Sequence, residues 1–313
     1  MSTEYFRLNN PVIQTEKTGL SWQFQILIFL VAAVAVISRR PDAISHPQFF
    51  AEDGMFWYAD AYNLGWLRAL FIPHTGYFQT LPRLTAALSL LLPLQWAPLL
   101  LNIVAIVVQV LPVTLLLSSR TVFWGSLPVR AVMAAVYIAL PNSRELDAAI
   151  TEAQWHMALI AAMIVLALPS PSRIWRVFDV ICLLLSGLTG PFCLVLFPLS
   201  IFFWWKKRDR WHLVLSGLLG MCFVVQLSAF LTTGSATRSQ AILGASPQLF
   251  FRMLVGDVYL GAIAGQNHFA LHGSTVNLVV VGLLSSAIIF YCFWKANLEI
   301  KLFLLYCFLL YAA

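Results

Sequence analysis

Seven of the thirteen acidic residues in this chain fall in two segments, Asp42, Glu52, Asp53 and Asp60 in the first and Glu145, Asp147 and Glu152 in the second. The densest stretch is Phe49-Phe50-Ala51-Glu52-Asp53-Gly54-Met55-Phe56-Trp57-Tyr58-Ala59-Asp60-Ala61. Two adjacent carboxylates stand there among Phe, Trp and Tyr. Apolar walls raise a carboxylate's pKa, and a nearby cation lowers it. A carboxylate poised this way takes a proton from an alcohol, which is general-base chemistry. The same pair could hold a divalent cation through hard oxygen ligands. A solvated loop with an acidic helix start is the third reading, because Asp53-Gly54 also suits a helix N-terminus.

Other polar groups cluster nearby in the chain. Pro73-His74-Thr75-Gly76-Tyr77 reads as a turn leading to Pro82-Arg83 at a helix start. An arginine there can hold a phosphate by bidentate hydrogen bonds or snorkel to an interface. The second acidic segment runs from Pro141-Asn142-Ser143-Arg144-Glu145 to Thr151-Glu152-Ala153-Gln154-Trp155-His156. Asn142 and Thr151 suit helix caps. On a helix Glu152 shares a face with Trp155 and His156. The Trp155 ring is either an interface anchor or a platform for the apolar face of a sugar. A zinc site needs more ligands than this segment holds. A third polar stretch carries Thr232, Thr233 and Arg238, then Gln266-Asn267-His268 and His272; it reads as cleft lining or plain loop. Neither a GxxxxGK[ST] nor a GxGxxG loop nor a GxSxG elbow occurs, which speaks against ATP-driven transport by this chain alone.

The elements that must position these groups are membrane helices. Hydrophobic residues make up 60% of the chain, charged residues 10% and aromatic residues 14%. A soluble domain carries about 25% charged residues. The expected fold class is all-α: one polytopic transmembrane helix bundle over 1–313. At about 20 apolar residues per span, it would hold about eight to ten membrane helices. Runs lie near 20–38, 80–96, 98–118, 129–141, 155–169, 177–189, 191–205, 211–231, 276–294 and 302–313. The first run precedes Arg39-Arg40-Pro41 rather than a small-residue cleavage site, so it reads as a retained helix. The last run ends at Tyr311-Ala312-Ala313 and reads as a truncated C-terminus. Cys182, Cys193, Cys222, Cys292 and Cys307 lie in apolar runs without CxxC spacing and read as small hydrophobes.

The net charge is +6, and its positive residues sit in short breaks between apolar runs. They act there as orientation signals, not as a nucleic-acid surface. The richest break, Lys206-Lys207-Arg208-Asp209-Arg210, is flanked by Trp204, Trp205 and Trp211 and is placed inside. Arg120 and Arg130, Arg173 and Arg176, and Lys295 and Lys301 then share its side. The outer side keeps segments 39–79, 141–154 and 232–275. The parity requires an odd number of crossings between 80 and 118, where two apolar runs are broken by Pro93 and Pro98.

A first helix followed by a large outer loop that opens with adjacent acids resembles the GT-C superfamily, membrane glycosyltransferases that use polyprenyl-phosphate sugar donors. The residues that carry the resemblance are Phe50-Ala51-Glu52-Asp53-Gly54, Gly76-Tyr77, Pro82-Arg83, Gln154-Trp155-His156 and Gly190-Pro191-Phe192, within the first 200 positions. It implies that a carboxylate of the first outer loop, 39–79, is the base on an acceptor hydroxyl: Asp53 first, Glu52 second. Arg83, Arg144 or Arg238 would hold the lipid phosphate. His74, Tyr77, Glu152, Trp155 and His156 would join the substrate-binding set. Some members use a divalent cation such as Mg or Mn. The acceptor would be a glycan, lipid or protein, and the location a bacterial inner membrane. The competing readings are a lipid or polysaccharide transporter, and a non-catalytic membrane subunit. A transporter would use polar groups within spans, such as Gln109 and Gln226.

Overall fold

The computed structural model describes residues 20–141, 145–237, 246–265 and 274–312. All regular elements among them are helical. The principal helices are α1 (Trp22–Arg39), α2 (Thr80–Ser89), α3 (Ala97–Leu116), α4 (Leu127–Ala139), α5 (Ala153–Leu166), α6 (Arg173–Gly187), α7 (Cys193–Lys207), α8 (Arg210–Thr237), α9 (Thr275–Lys295) and α10 (Leu298–Ala312). Four stretches are long and apolar enough to cross a membrane: Trp22–Arg39, Leu94–Leu116, Arg210–Thr233 and Thr275–Lys295. In a bilayer core no water is available to bond a free N–H or C=O, so apolar runs become helices.

The run expected to span at 80–96 is a correction. It contains only the ten-residue α2, roughly 15 Å long. The chain turns at residues 90–93, and a 3-10 turn, Leu94–Trp96, leads into α3. Pro93 keeps the preceding residue out of helical geometry, which explains the break. A single long helix, α3, therefore connects the two ends of the bundle between 80 and 118. That removes the parity conflict.

At the core stands α5. It is apolar on every face, and its residues from Ala158 to Leu166 are buried almost without interruption. A helix that is hydrophobic all round belongs inside. Ala158, Ala161 and Ala162 let α3, α6 and α7 approach it closely.

One end of the bundle collects the basic breaks. Arg120 forms two 2.7 Å bonds to Asp179 and donates through Nε to the Leu168 carbonyl at 3.0 Å. Trp211 Nε1 donates to the same Asp179 at 3.1 Å. Lys207 pairs with Glu299 at 2.6 Å, and Asn297 donates to the Phe123 carbonyl at 2.9 Å. The Arg130 guanidinium donates to the carbonyls of Leu116, Ser118 and Gly125, covering the end of α3. Arg120, Arg130, Lys207 and the Trp211 turn thus share one end, as the charge pattern expected.

The opposite end carries the acidic segments. Arg39, closing α1, meets Asp147 at 2.9 Å. Gln109 of α3 clasps the same turn, donating to Asp147 Oδ1 at 2.6 Å and accepting from the Ala148 amide at 3.1 Å. Gln226 of α8 accepts from the Phe78 amide at 2.8 Å and donates to the carbonyls of Gly187 and Gly190 at 3.2 and 3.1 Å. Two glutamine side chains in apolar helices are therefore loop clasps. Backbone groups of these turns would otherwise be buried unpaired, at a cost of about 1–3 kcal/mol for each glutamine lost.

Candidate functional site

The segment 39–79 is a folded layer. A short helix, Asp42–Ser45, leads to residues 46–50 and then to Ala51, whose φ is +47°. A non-glycine residue in that region costs of order 1 kcal/mol or more and persists only where contacts enforce it. Directly after it, Asp53–Tyr58 winds as a π-helical turn. That wider winding occurs often at functional sites. At Gly54 the backbone runs close to Phe49: an added Cβ would lie 3.2 Å from its side chain, which would have to shift.

The enforcing contacts come from the second acidic segment. Asp53 is 0% exposed. Its Oδ1 accepts from Thr151 Oγ1 at 2.8 Å and its Oδ2 from the Phe50 amide at 3.2 Å. Trp57 Nε1 donates to the same Thr151 hydroxyl at 2.8 Å. Burial pushes Asp53 up to about 6, with the bonds from Thr151 and Phe50 opposing and the Glu52 charge adding to the rise. Thr151 does not cap a helix. It is the pin between the two acidic segments.

Glu52 is only half-buried. Its charge reaches His74 and Glu152. Burial holds Glu152 above the ordinary carboxylate range, the Trp155 N–H at 2.9 Å lowers it, and Glu52 and Glu145 raise it. Trp155 is itself exposed, so that bond sets the tilt of an accessible indole face. The structure therefore brings Glu52, Asp53, His74, Glu152 and Trp155 into one neighbourhood.

His74 packs its ring 4.3 Å from Phe56 and 5.0 Å from Trp57, centroid to centroid. Burial holds it below the ordinary imidazole value; Glu52 opposes that shift and Arg83 adds to it. Tyr77 closes a tight turn with His74 through bonds of 2.8 and 3.2 Å, and the central Thr75 and Gly76 have φ of +52° and +95°. Positive φ at both central positions marks the mirror-image turns that favour glycine.

Arg83 is placed differently from a surface phosphate anchor. It is 1% exposed, pairs with Asp60 at 2.9 Å, and lies 5.0 Å over the Trp57 ring. Its Nε and the Oε1 of Gln79 are buried without a hydrogen-bond partner. Gln79 Nε2 donates to Gln154 Oε1 at 3.1 Å. His156 is occupied elsewhere: Nδ1 lies 2.7 Å from the Tyr137 hydroxyl and Nε2 3.4 Å from the Leu146 carbonyl. Arg144 and Arg238 lie outside the described residues, as do Asn142, Gln266, Asn267, His268 and His272.

Among the described residues, no group of three His, Cys, Asp or Glu side chains is arranged to hold a metal ion. An Mg or Mn ion of the kind the resemblance implies would have Glu52 as its half-buried carboxylate, because both oxygens of Asp53 already accept from Thr151 and Phe50. Reading the sequence missed three contributors: Thr151 as a pin, Asp60 as the partner of Arg83, and Gln79 with Gln154 as a bridge between loops. A polar side chain inside an otherwise apolar run is a signal that marks Gln109 and Gln226; Gln79 and Gln154 lie in polar segments and carry no such mark.

Comparison of the sequence with models of known families and with curated proteins, and of the fold with solved structures, gives no match.

Proposed function

We propose that this chain is a multi-pass membrane glycosyltransferase of GT-C-like architecture. It moves a sugar from a polyprenyl-phosphate donor to an acceptor hydroxyl on a glycan, lipid or protein. In this reading nine helices cross the membrane (α1 and α3 to α10), with the Lys207 end inside and the Glu52 end outside, in a bacterial inner membrane. The observation that supports it is the placing of a half-exposed carboxylate, Glu52, beside a buried one, Asp53, raised to about 6. Burial favours Glu52 over Asp53 for direct contact with the acceptor. Asp53 holds the strained turn and adds its negative charge next to Glu52. As the acceptor oxygen attacks the anomeric carbon, its proton passes to the carboxylate. The bond from that carbon to the phosphate oxygen breaks, and polyprenyl phosphate departs. A cation steadies the departing phosphate. Arg83 is engaged by Asp60, so Arg144 or Arg238 takes that role. Trp155 stacks on the sugar, with Glu152 and His74 beside it.

The test is transfer of label from a radiolabelled polyprenyl-phosphate sugar in membranes carrying the chain. Glu52→Gln with Asp53→Asn should abolish transfer at unchanged protein level. Transfer that persists in the double variant rejects the reading. Gln109 and Gln226, the polar groups a transport path would use, are engaged as loop clasps, which gives transport no support.

A further inference from the structure

The layer formed by the first outer segment and α2 is packed inside out. Its small buried core consists of Trp57, Ala61, Ala69 and Ala86. The three alanines are 1%, 1% and 0% exposed, whereas Trp66, Leu67, Phe71 and Leu91 are 55%, 56%, 70% and 82% exposed. A layer bathed in water would turn its large apolar side chains inward and its small ones outward. This one presents them on or just after short elements that cannot span: Trp66 and Leu67 lie on the five-residue helix Trp66–Leu70, Phe71 follows it, and Leu91 follows the ten-residue α2. An exposed apolar patch of this kind marks a binding surface.

We propose that this face is embedded in the outer leaflet of the bilayer, at the depth of the headgroup–acyl boundary. The occupant follows from continuity. Leu94 and Trp96 are also exposed, and the chain runs from them straight into α3. Ile103 and Val107 continue the exposed apolar strip along α3. With twenty residues, α3 covers about 30 Å, the hydrocarbon thickness. The strip before Ala97 therefore lies at the boundary, where tryptophan concentrates. Trp57 belongs to the core of this layer, and its indole contacts His74 and lies under Arg83. The embedded face and the carboxylate site are thus two sides of one layer, and immersion of the first sets the second at headgroup height. This inference stands independently of the transferase reading.

The experiment places a spin label on the full chain in nanodiscs of phosphatidylethanolamine and phosphatidylglycerol. The exposed Cys292 and Cys307 are first replaced by serine. Labels go singly at Phe71→Cys, Leu91→Cys and Leu67→Cys, with Glu145→Cys as an aqueous reference and Leu283→Cys on α9 as a lipid reference. At positions 67, 71 and 91, the ratio of collisions with oxygen to those with a water-soluble nickel chelate should lie clearly above that at 145 and below that at the deeper 283. Chelate access at 67, 71 and 91 equal to that at 145 overturns the proposal. Exclusion of both reagents also overturns it, because a protein surface then covers the face.

Discussion

The two ends of the bundle treat buried charge in opposite ways. At the Arg120 end the buried ions meet good geometry: two 2.7 Å bonds join Arg120 to Asp179, and Trp211 adds a third donor. At the Glu52 end, Arg83 keeps a buried Nε without a partner and Gln79 a buried Oε1. The backbone is strained at Ala51, a π-helical turn follows, and Asp53 is raised to about 6. Satisfied networks build architecture, whereas unsatisfied groups and displaced pKa values collect where chemistry occurs. The contrast teaches that burial alone does not mark a site. What distinguishes the Glu52 end is a sealed carboxylate raised to about 6 in a π-helical turn, since a buried atom without a partner occurs at the Arg120 end too, at Trp124 Nε1.

Substitutions at the two ends should therefore separate activity from stability. The largest effect is expected from Glu52→Gln: loss of transfer by about 10²–10⁴-fold, the range for removing a general base. The midpoint of thermal unfolding should hardly move, because a half-exposed side chain is being changed. At the other end Arg120→Leu should cost about 3–5 kcal/mol, since it leaves Asp179 buried and uncompensated. Thermal unfolding in detergent reads that loss, and transfer per folded molecule should stay constant. Adding Asp179→Leu should recover most of the stability. If Glu52→Gln destabilises the protein as much as Arg120→Leu does, the distinction between the ends fails.

Gln226→Leu tests the clasps within the Glu52 end. It leaves the Phe78 amide and the Gly187 and Gly190 carbonyls without their partner. The cost is about 1–3 kcal/mol, with a parallel fall in transfer because residues 77–81 carry the start of α2.

The smallest effect is a dependence on pH. Transfer should rise with pH through an inflection near 6 as Asp53 ionises, and Asp53→Asn should remove that inflection. Stability moves the other way. The fold raises this carboxyl, so the folded chain holds the proton more tightly than the unfolded chain. Stability therefore grows as pH falls from above 6 towards the unfolded value. A rate profile that keeps its inflection in Asp53→Asn would assign it to another group, with Glu152 next in line.

Much of the fold was legible because each helix is a local sum. The runs near 98–118 and 276–294 coincide closely with Ala97–Leu116 and Thr275–Lys295. The difference at 80–96 lies in the run's end: Pro93 is legible as a break, whereas the turn at residues 90–93 that already ends α2 at Ser89 is not. The carboxylates were legible as a cluster for the same local reason, since Glu52 and Asp53 are neighbours in the chain. Their unequal burial was not. Thr151 reaches Asp53 across 98 positions and Trp57 across 94, and no local pattern announces such a pair.

Composition, run length and the placing of lysines determined that this is an all-helical chain with stretches apolar enough to cross a membrane, and that its basic breaks share a side. These properties depend on nearest neighbours and on transfer from water, so any reader of the linear chain can add them up. Tertiary structure alone decided that Asp53 is sealed and Glu52 accessible, that Arg83 is engaged by Asp60, and that Trp66, Leu67, Phe71 and Leu91 are left exposed. Each of those depends on which distant surface meets which, and desolvation acts only after that meeting.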